Sequence, residues 1–210
     1  MIISHKYKFI FIKTTKTAGT SLEVALSKYC GEGDIITAIS PPVETHKPKN
    51  NQGFYNHMSI HEIKIKIKPH TYKNYFKFTF ERNPYDKMVS WYWWIKQQHN
   101  INENFKEFCL KCDDGTYGLP LDFEKYSMDG KIAVDYVGKY ESLELDFQKI
   151  CKNLGIPFDE KLTKQKGSSR ETKEHFSTYY DNETKGIVEK YFSRELSMWV
   201  KSAGESTNEA

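Results

Sequence analysis

The run FIFIKTTKTAGTSLE at positions 9–23 constrains the fold more than any other part of the chain. Its four leading apolar residues predict a buried strand, which we expect to span residues 7–13. A short turn rich in hydroxyl groups follows, and then a helix is predicted over 20–29, with Thr20 and Glu23 spaced as a capping box. Because the N–H groups at a helix N-terminus point toward the preceding turn, such a strand–turn–helix unit is typical of an anion site.

Further strands are predicted at 75–80 and 134–139, and helical segments lie between them. This alternation predicts an α/β class, a P-loop-like three-layer fold with a central parallel sheet flanked by helices. Ligands of such sheets bind beyond the carboxyl ends of the strands. One domain is predicted over 1–201 and a disordered tail over 202–210. The other predicted helices span 59–68, 83–98, 103–112, 142–154 and 183–200, and the first of them opens with a second capping-box spacing, Ser59 and Glu62.

Composition narrows the class of protein. The chain has 210 residues, 38% of them hydrophobic, which is enough for a sizeable core. The net charge of +3 is too small to indicate a nucleic-acid partner. No apolar run has the length of a signal peptide or a membrane helix, so a soluble, cytoplasmic protein is expected. Cys109 and Cys112 form a C-x-x-C, but no second pair completes a zinc site, and reduced thiols on a helix are favoured.

The turn after the first strand is the first cluster with chemical meaning. Small residues let the backbone curve around an oxyanion, and Lys16 adds a full positive charge. The order differs from a Walker A motif, where the lysine follows the last glycine, so no magnesium site is predicted. An ordinary polar strand–helix turn is the alternative. The residues of the cluster are Lys16, Thr17, Ala18, Gly19, Thr20 and Ser21.

The second cluster is FERNPYDKMVSWY at 80–92, where the 75–80 strand meets the next helix. Arg82 lies at the strand end, and Ser90 lies two turns into the helix. Arginine offers a planar fork suited to phosphate, and serine offers a compact hydroxyl donor. Glu81 places a carboxylate beside this arginine. Strand alternation would turn it to the opposite face, and otherwise it would weaken anion binding. A capped helix with a surface arginine is the alternative.

Together, K-T-A-G-T-S at 16–21 and R-N-P-Y-D-x-x-V-S-W-Y at 82–92 resemble the two cofactor motifs of the sulfotransferases that use 3′-phosphoadenosine 5′-phosphosulfate. The likeness extends over 7–200 and is greater to the carbohydrate branch, which includes the uronosyl 2-O-, chondroitin and HNK-1 enzymes. It implies in-line transfer of a sulfuryl group to an acceptor hydroxyl, without a metal or a nucleic-acid partner. The likeness to the carbohydrate branch implies that this hydroxyl belongs to a carbohydrate. Because the chain lacks the membrane anchor of the Golgi-resident relatives, a soluble microbial enzyme is implied.

The resemblance also implies roles for individual residues. The turn from Lys16 to Ser21 would wrap the 5′-phosphosulfate, and Lys16 would stabilise the bridging oxygen as adenosine 3′,5′-bisphosphate leaves. Arg82 and Ser90 would hold the 3′-phosphate. The later segment KGSSR resembles the loop that closes over the nucleotide, and there Lys166 or Arg170 would reach the 3′-phosphate.

Sulfuryl transfer needs a base, because the acceptor hydroxyl loses its proton as it attacks. His57 precedes a capped helix and matches the H-x-S segment that holds the base in related sequences. His61, one helical turn further on, is the competitor. A His57/His61 zinc pair is conceivable, but no third ligand is evident. The alternative to a catalytic role is that His57 is an ordinary loop histidine facing the solvent.

Other functions predict features that differ. A P-loop kinase or NTPase requires a G-K-[ST] sequence, which is absent. A basic binding protein predicts a continuous Lys/Arg stripe with exposed aromatics, whereas the aromatic run WYWW lies within a helix expected to be core. A non-catalytic nucleotide-binding protein, such as a sulfotransferase fold that has lost catalysis, does not require both Lys16 and His57. The acceptor has no legible sequence signature, and neither has the oligomeric state.

Overall fold

The computed structural model describes residues 1–158, 161–163, 170, 172 and 174–204. These residues form two compact units. The first comprises the described residues of Met1–Glu81 and Glu124–Gly167, and the second those of Arg82–Phe123 and Ser168–Ala210. The first unit contains the central sheet, and the second is helical. The single domain predicted over 1–201 stays a prediction.

A five-stranded sheet, in the order β3-β1-β2-β4-β7, organises the first unit. Strands β2, β4 and β7 are parallel, whereas β1 is antiparallel to both of its neighbours. The three strands predicted from sequence are therefore confirmed, and so is the α/β class. A small hairpin of two strands lies outside this sheet. The strands are β1 (Ile2–Ser4), β2 (Phe9–Phe11), β3 (Ile35–Ile36), β4 (Phe76–Glu81), β5 (Ser127–Met128), β6 (Lys131–Ile132) and β7 (Tyr136–Lys139).

Each predicted helical segment contains a helix in the structure, and two further α-helices are present in the described residues. Helices α3 and α6 were not predicted, and the single helix predicted over 183–200 is two helices that break at Phe192. The second of these continues into the predicted tail, of which residues 205–210 lie outside the described part. In chain order the helices are α1 (Gly19–Ser27), α2 (Ile60–Lys66), α3 (Pro69–Asn74), α4 (Pro84–His99), α5 (Phe105–Asp113), α6 (Phe123–Tyr126), α7 (Leu143–Leu154), α8 (Asn182–Tyr191) and α9 (Ser193–Gly204).

Strand alternation gives the sheet two apolar faces, and each face is covered. On one side, phenylalanines of β2 and β4 pack with Leu22 of α1 and Phe147 of α7. On the other, Ile10 and Ile12 pack with Ile60 and the rest of the α2 face. Helix, sheet and helix thus form the three predicted layers. Gly138 of β7 lies so close to the Phe80 ring that a Cβ would come within 2.5 Å of it, which explains the glycine.

The two predicted capping boxes have different outcomes. The Ser59 side chain accepts from the Glu62 N–H and Glu62 accepts from the Ser59 N–H, so this box is confirmed. The box predicted between Thr20 and Glu23 is wrong. Helix α1 begins one residue earlier, at Gly19, and its N-cap residue Ala18 makes no side-chain capping bond. Glu23 is fully buried and makes ion pairs instead.

Aromatic side chains build the core of the second unit. Tyr92 and Trp93 of α4 are buried with Phe108 of α5 and residues of α8. Cys109 and Cys112 lie in the same core as free thiols, and burial raises the pKa of Cys112 to about 12. They are therefore reduced packing groups, as the sequence indicated. Within the part of the chain that the structure describes, no helix combines the length and the apolar character needed to cross a bilayer.

Candidate active site

The turn after β2 has an unusual backbone. Lys16 and Ala18 adopt left-handed conformations with φ of 62° and 60°. A non-glycine residue in this region carries a strain of about 1–3 kcal/mol, and such residues concentrate at functional sites. Of the seven non-glycine residues with positive φ in the described ranges, these two and His57 lie at the predicted active site. The strain therefore coincides with the residues assigned a chemical role.

Threonine side chains fasten this turn to the sheet. The Thr79 hydroxyl of β4 donates to the Ile12 carbonyl at 2.9 Å, and the Thr14 hydroxyl donates to the Phe80 carbonyl. The hydroxyls of Thr14 and Thr17 lie 2.9 Å apart. The Thr17 side chain is buried, and its hydroxyl contacts Thr14 within the turn. These bonds hold the turn at the carboxyl end of two parallel strands.

Lys13 was assigned no role from sequence, but its buried side chain packs against the start of α1. Its ammonium is buried and lies 2.7 Å from a Glu23 carboxylate oxygen. The lysine stem passes under the start of α1, where a Cβ on Gly19 would come within 2.7 Å of Lys13 Cγ. Glycine at this position therefore makes room for the buried lysine. Burial opposes the charge of Glu23, but the Met1 amino group and Lys13 lower its pKa below the ordinary value.

The N-terminus of α1 is arranged to meet an anion. Its N-cap residue, Ala18, makes no side-chain capping bond, and its first turn contains no acidic residue. The first turn of a helix has backbone N–H groups without intrahelical partners, and the helix dipole adds partial positive charge there. Thr20 and Ser21 lie in this turn and are half-buried. Lys16, also half-buried, precedes it, so the six predicted phosphosulfate residues form one continuous loop and helix end.

His57 lies beside the same turn. It is half-buried, and its Nδ1 is 3.0 Å from the Lys13 carbonyl oxygen. A carbonyl only accepts, so this contact assigns the proton of the neutral ring to Nδ1 and makes Nε2 the basic nitrogen. In this tautomer the neutral ring accepts hydrogen bonds or a proton at Nε2. His61, the competing candidate, is exposed on the first turn of α2.

A second lysine that sequence reasoning missed lies at the turn. Lys125 of α6 has its ammonium 3.4 Å from the Thr15 hydroxyl. More than a hundred positions separate these two residues, and no local pattern connects them. Lys125 therefore adds positive charge to a loop that was predicted to depend on Lys16 alone.

In the second unit, Arg82 begins the segment that contains the other predicted motif. Asn83 caps α4 by accepting from the Tyr85 N–H, and Pro84 occupies the first turn, as predicted. The Arg82 side chain is nearly buried and forms an ion pair with Asp86, with Nη2 2.7 Å and Nε 2.8 Å from Oδ2. Ser90 is half-buried on α4. Asp86 was not among the predicted site residues, although its i,i+4 spacing from Arg82 is a recognised pairing signal.

Arg170 joins the same carboxylate. Its Nη1 lies 3.4 Å from Asp86 Oδ1, and its guanidinium carbon lies 5.2 Å from the centre of the Tyr179 ring. A second nitrogen donates to the Glu174 carbonyl. Both arginines predicted to bind the 3′-phosphate therefore form ion pairs with the same residue, Asp86. Lys166, the other residue predicted from the same segment, lies outside the described residues.

Helix α4 also carries a buried ion pair that sequence reasoning did not identify. Lys87 and Asp122 are 2.7 Å apart, and both side chains are 0% exposed. Glu195 of α9 is buried nearby, and burial raises the pKa of its carboxyl group. Lysine and glutamate at such depth are rare without partners. This cluster lies in the second unit and contains none of the predicted site residues.

The second unit contains a cavity outside the predicted site, and the described part of neither unit contains a cluster suited to a metal ion. A cavity of about 580 Å³ is lined by residues 99–103 together with Glu107 and Lys111. Its three charged side chains have structural partners, since Lys111 pairs with Glu103 and Glu107 caps α5. The cavity contains no predicted site residue. Among the described residues of both units, no group of three His, Cys, Asp or Glu side chains is arranged to hold a metal ion.

Comparison with known proteins assigns the chain to a family. The model of the sulfotransferase family matches residues 1–200, and the chain belongs to this family. An uncharacterized protein of Archaeoglobus fulgidus is 35% identical over 99 residues, which cover 45% of this chain and 80% of that protein. The crystal structure of mouse sulfotransferase SULT7A1 complexed with PAP matches with a TM-score of 0.55 and 12% identity, over 93% of this chain and 86% of that one. At this identity the match shows the fold.

Proposed function

We propose that this protein transfers a sulfuryl group from 3′-phosphoadenosine 5′-phosphosulfate to an acceptor hydroxyl. The observation that carries the proposal is the turn from Lys16 to Ser21. It follows a central parallel strand and contains two strained left-handed residues, and the helix after it begins at an N-cap residue, Ala18, that makes no side-chain capping bond. Membership of the sulfotransferase family supports the same chemistry.

The turn would bind the 5′-phosphosulfate through backbone N–H groups and the Lys16 ammonium. Nε2 of His57 would accept the hydroxyl proton while the acceptor oxygen forms its bond to sulfur. The bond from sulfur to the bridging oxygen breaks, and its electron pair remains on the departing 5′-phosphate. Lys16 would stabilise the charge that grows on this oxygen. The products are the sulfate ester and adenosine 3′,5′-bisphosphate, and no step requires a metal.

The 3′-phosphate would be bound by Arg82, Ser90 and Arg170, with Lys166 as a further contact. Guanidinium groups bind phosphate through paired hydrogen bonds, and nearly buried ones do so with less screening than exposed ones. A phosphate at the 3′ position distinguishes this donor from ATP and AMP. Recognition of that phosphate is therefore the property that separates the proposal from a kinase or an NTPase.

We propose a carbohydrate hydroxyl as the acceptor, on the basis of the resemblance of the motif pair at 16–21 and 82–92 to the motifs of carbohydrate sulfotransferases. A cytoplasmic location also stays a prediction. The acceptor is testable directly. Radiolabelled phosphosulfate donor should give labelled product with members of a panel of sugars, and less with lipids and phenols. A preference for phenols or lipids would contradict the carbohydrate assignment while leaving sulfuryl transfer intact.

The donor assignment has its own experiment. Isothermal titration calorimetry in EDTA should show much tighter binding of adenosine 3′,5′-bisphosphate than of AMP, because the 3′-phosphate contacts are present only in the first. Labelled donor in the same buffer should support transfer. Equal affinity for the two nucleotides would remove the basis of the proposal.

A further inference from the structure

Asp86 connects two residues that were predicted independently to bind the 3′-phosphate. One carboxylate oxygen accepts from Nε and Nη2 of Arg82, and the other lies 3.4 Å from Nη1 of Arg170. The three side chains are 11%, 14% and 18% exposed for Arg82, Asp86 and Arg170. The arginines are 88 positions apart in the chain, and both contact this one carboxylate.

Such an arrangement has a physical reason. Two nearly buried guanidinium groups repel each other, and repulsion in a poorly solvated place is stronger than at an exposed surface. A carboxylate between them offsets the repulsion and orients both forks. It also fixes two long side chains whose ordering would otherwise reduce the affinity for a ligand. The Tyr179 ring beneath Arg170 adds to this order.

We propose that Asp86 is a positioning residue for recognition of the 3′-phosphate. It holds Arg82 and Arg170 together before the nucleotide arrives, and it acts through them without contacting the donor. The inference rests on the proposed function, since it concerns the 3′-phosphate of the same nucleotide. The inference assigns a favourable role to an acidic residue near a bound anion. Simple charge repulsion predicts instead that removing the Asp86 charge would strengthen nucleotide binding.

The sign of the effect therefore tests the inference. If Asp86 positions the arginines, Asp86→Asn should weaken binding of adenosine 3′,5′-bisphosphate by on the order of 10-fold, about one hydrogen bond to a charged group. AMP binding should be unchanged, because AMP lacks the phosphate in question. In transfer assays the donor KM should rise while kcat is retained, since the 3′-phosphate does not change during the reaction.

A matched control separates this effect from a general loss of charge. Asp113→Asn removes one carboxylate from the same unit, where it pairs with the exposed Lys190. This variant should keep the wild-type ratio of bisphosphate to AMP affinity. If Asp86→Asn does not fold, Asp86→Glu keeps the charge, moves it by one methylene and should lower the same ratio by a smaller factor. Thermal unfolding of each variant establishes that folded protein is compared.

The outcomes are distinct. A reduced ratio in the Asp86 variant and an unchanged ratio in the Asp113 control support the inference. An unchanged or increased ratio after substitution of Asp86, in a protein whose wild type prefers the bisphosphate, overturns the positioning role and leaves the proposed function intact. A wild type that binds both nucleotides equally overturns the proposed function and the role of Asp86 together.

Discussion

Replacing His57 tests the assignment of the base, and two variants make the test sharp. His57→Ala and His57→Gly both remove the ring, so both should lower turnover by about 10²–10⁴-fold, the usual contribution of a positioned acid–base group. This corresponds to about 3–5 kcal/mol of activation free energy. Binding of adenosine 3′,5′-bisphosphate should change little in either variant, because the ring is assigned to the acceptor proton.

The two variants differ in stability for a reason visible in the backbone. His57 has φ of 62°, where a residue with a Cβ is strained by about 1–2 kcal/mol. Alanine keeps this strain and loses the hydrogen bond to the Lys13 carbonyl, which contributes about 0.5–1.5 kcal/mol. Glycine loses the same bond but relieves the strain, at an entropic cost of roughly 0.5–1 kcal/mol. We therefore expect His57→Gly to be more stable than His57→Ala by about 0.5–1 kcal/mol.

Urea denaturation measures the stabilities, and transfer of radiolabel from the donor at saturating acceptor measures turnover. His61→Ala is the control, because it removes an exposed ring of the same chemistry one helical turn away. It should retain most of the activity. The reasoning is refuted if His57→Ala keeps near wild-type turnover, or if the more stable glycine variant recovers activity, since the loss would then reflect folding and not proton transfer.

The remaining predictions concern charge in both units. Arg82→Ala should mainly raise the donor KM, because Arg82 is assigned to a phosphate that does not change during the reaction. Lys16→Ala should mainly lower kcat, because Lys16 is assigned to charge that grows in the transition state. A steady-state measurement in which Lys16→Ala changes only KM would contradict this division of roles. Asp122→Asn should lower the free energy of unfolding by about 3–5 kcal/mol by leaving Lys87 buried without its carboxylate, and the double change Asp122→Leu with Lys87→Met should restore most of it in denaturant titrations. Burial raises the pKa of Glu195, so the folded state disfavours its charged form, and Glu195→Gln should stabilise the protein above that raised pKa. The gain should vanish below the ordinary carboxyl pKa of about 4.3, where the native side chain is protonated in both states, and a gain independent of pH would show a different cause.

Local patterns determined much of this protein from sequence alone. The apolar run before Lys13, the small residues after Lys16 and the Ser59–Glu62 capping box act over a few positions, so their outcome was legible without the fold. The parallel strands and the turn at the end of β2 follow from the same local signals. Two strands did not follow from these signals: β1, which is antiparallel to both of its neighbours, and β3, which lies at one edge of the sheet. Strands β1 and β3 are only three and two residues long, and buried Asp34 organises the β1 end by accepting from Ser4 and the His5 N–H.

Tertiary structure decided the charged partners. Glu23 has the spacing of a helix cap, yet the buried Lys13 ammonium ten positions earlier takes its carboxylate, because an unpaired charge inside the core costs more than a missing cap. Asp86 has the spacing of a simple helix pair with Arg82, yet it also meets Arg170 from a distant segment. Pairings of this kind depend on which segments the fold brings within a few ångströms, and local sequence carries no record of that distance.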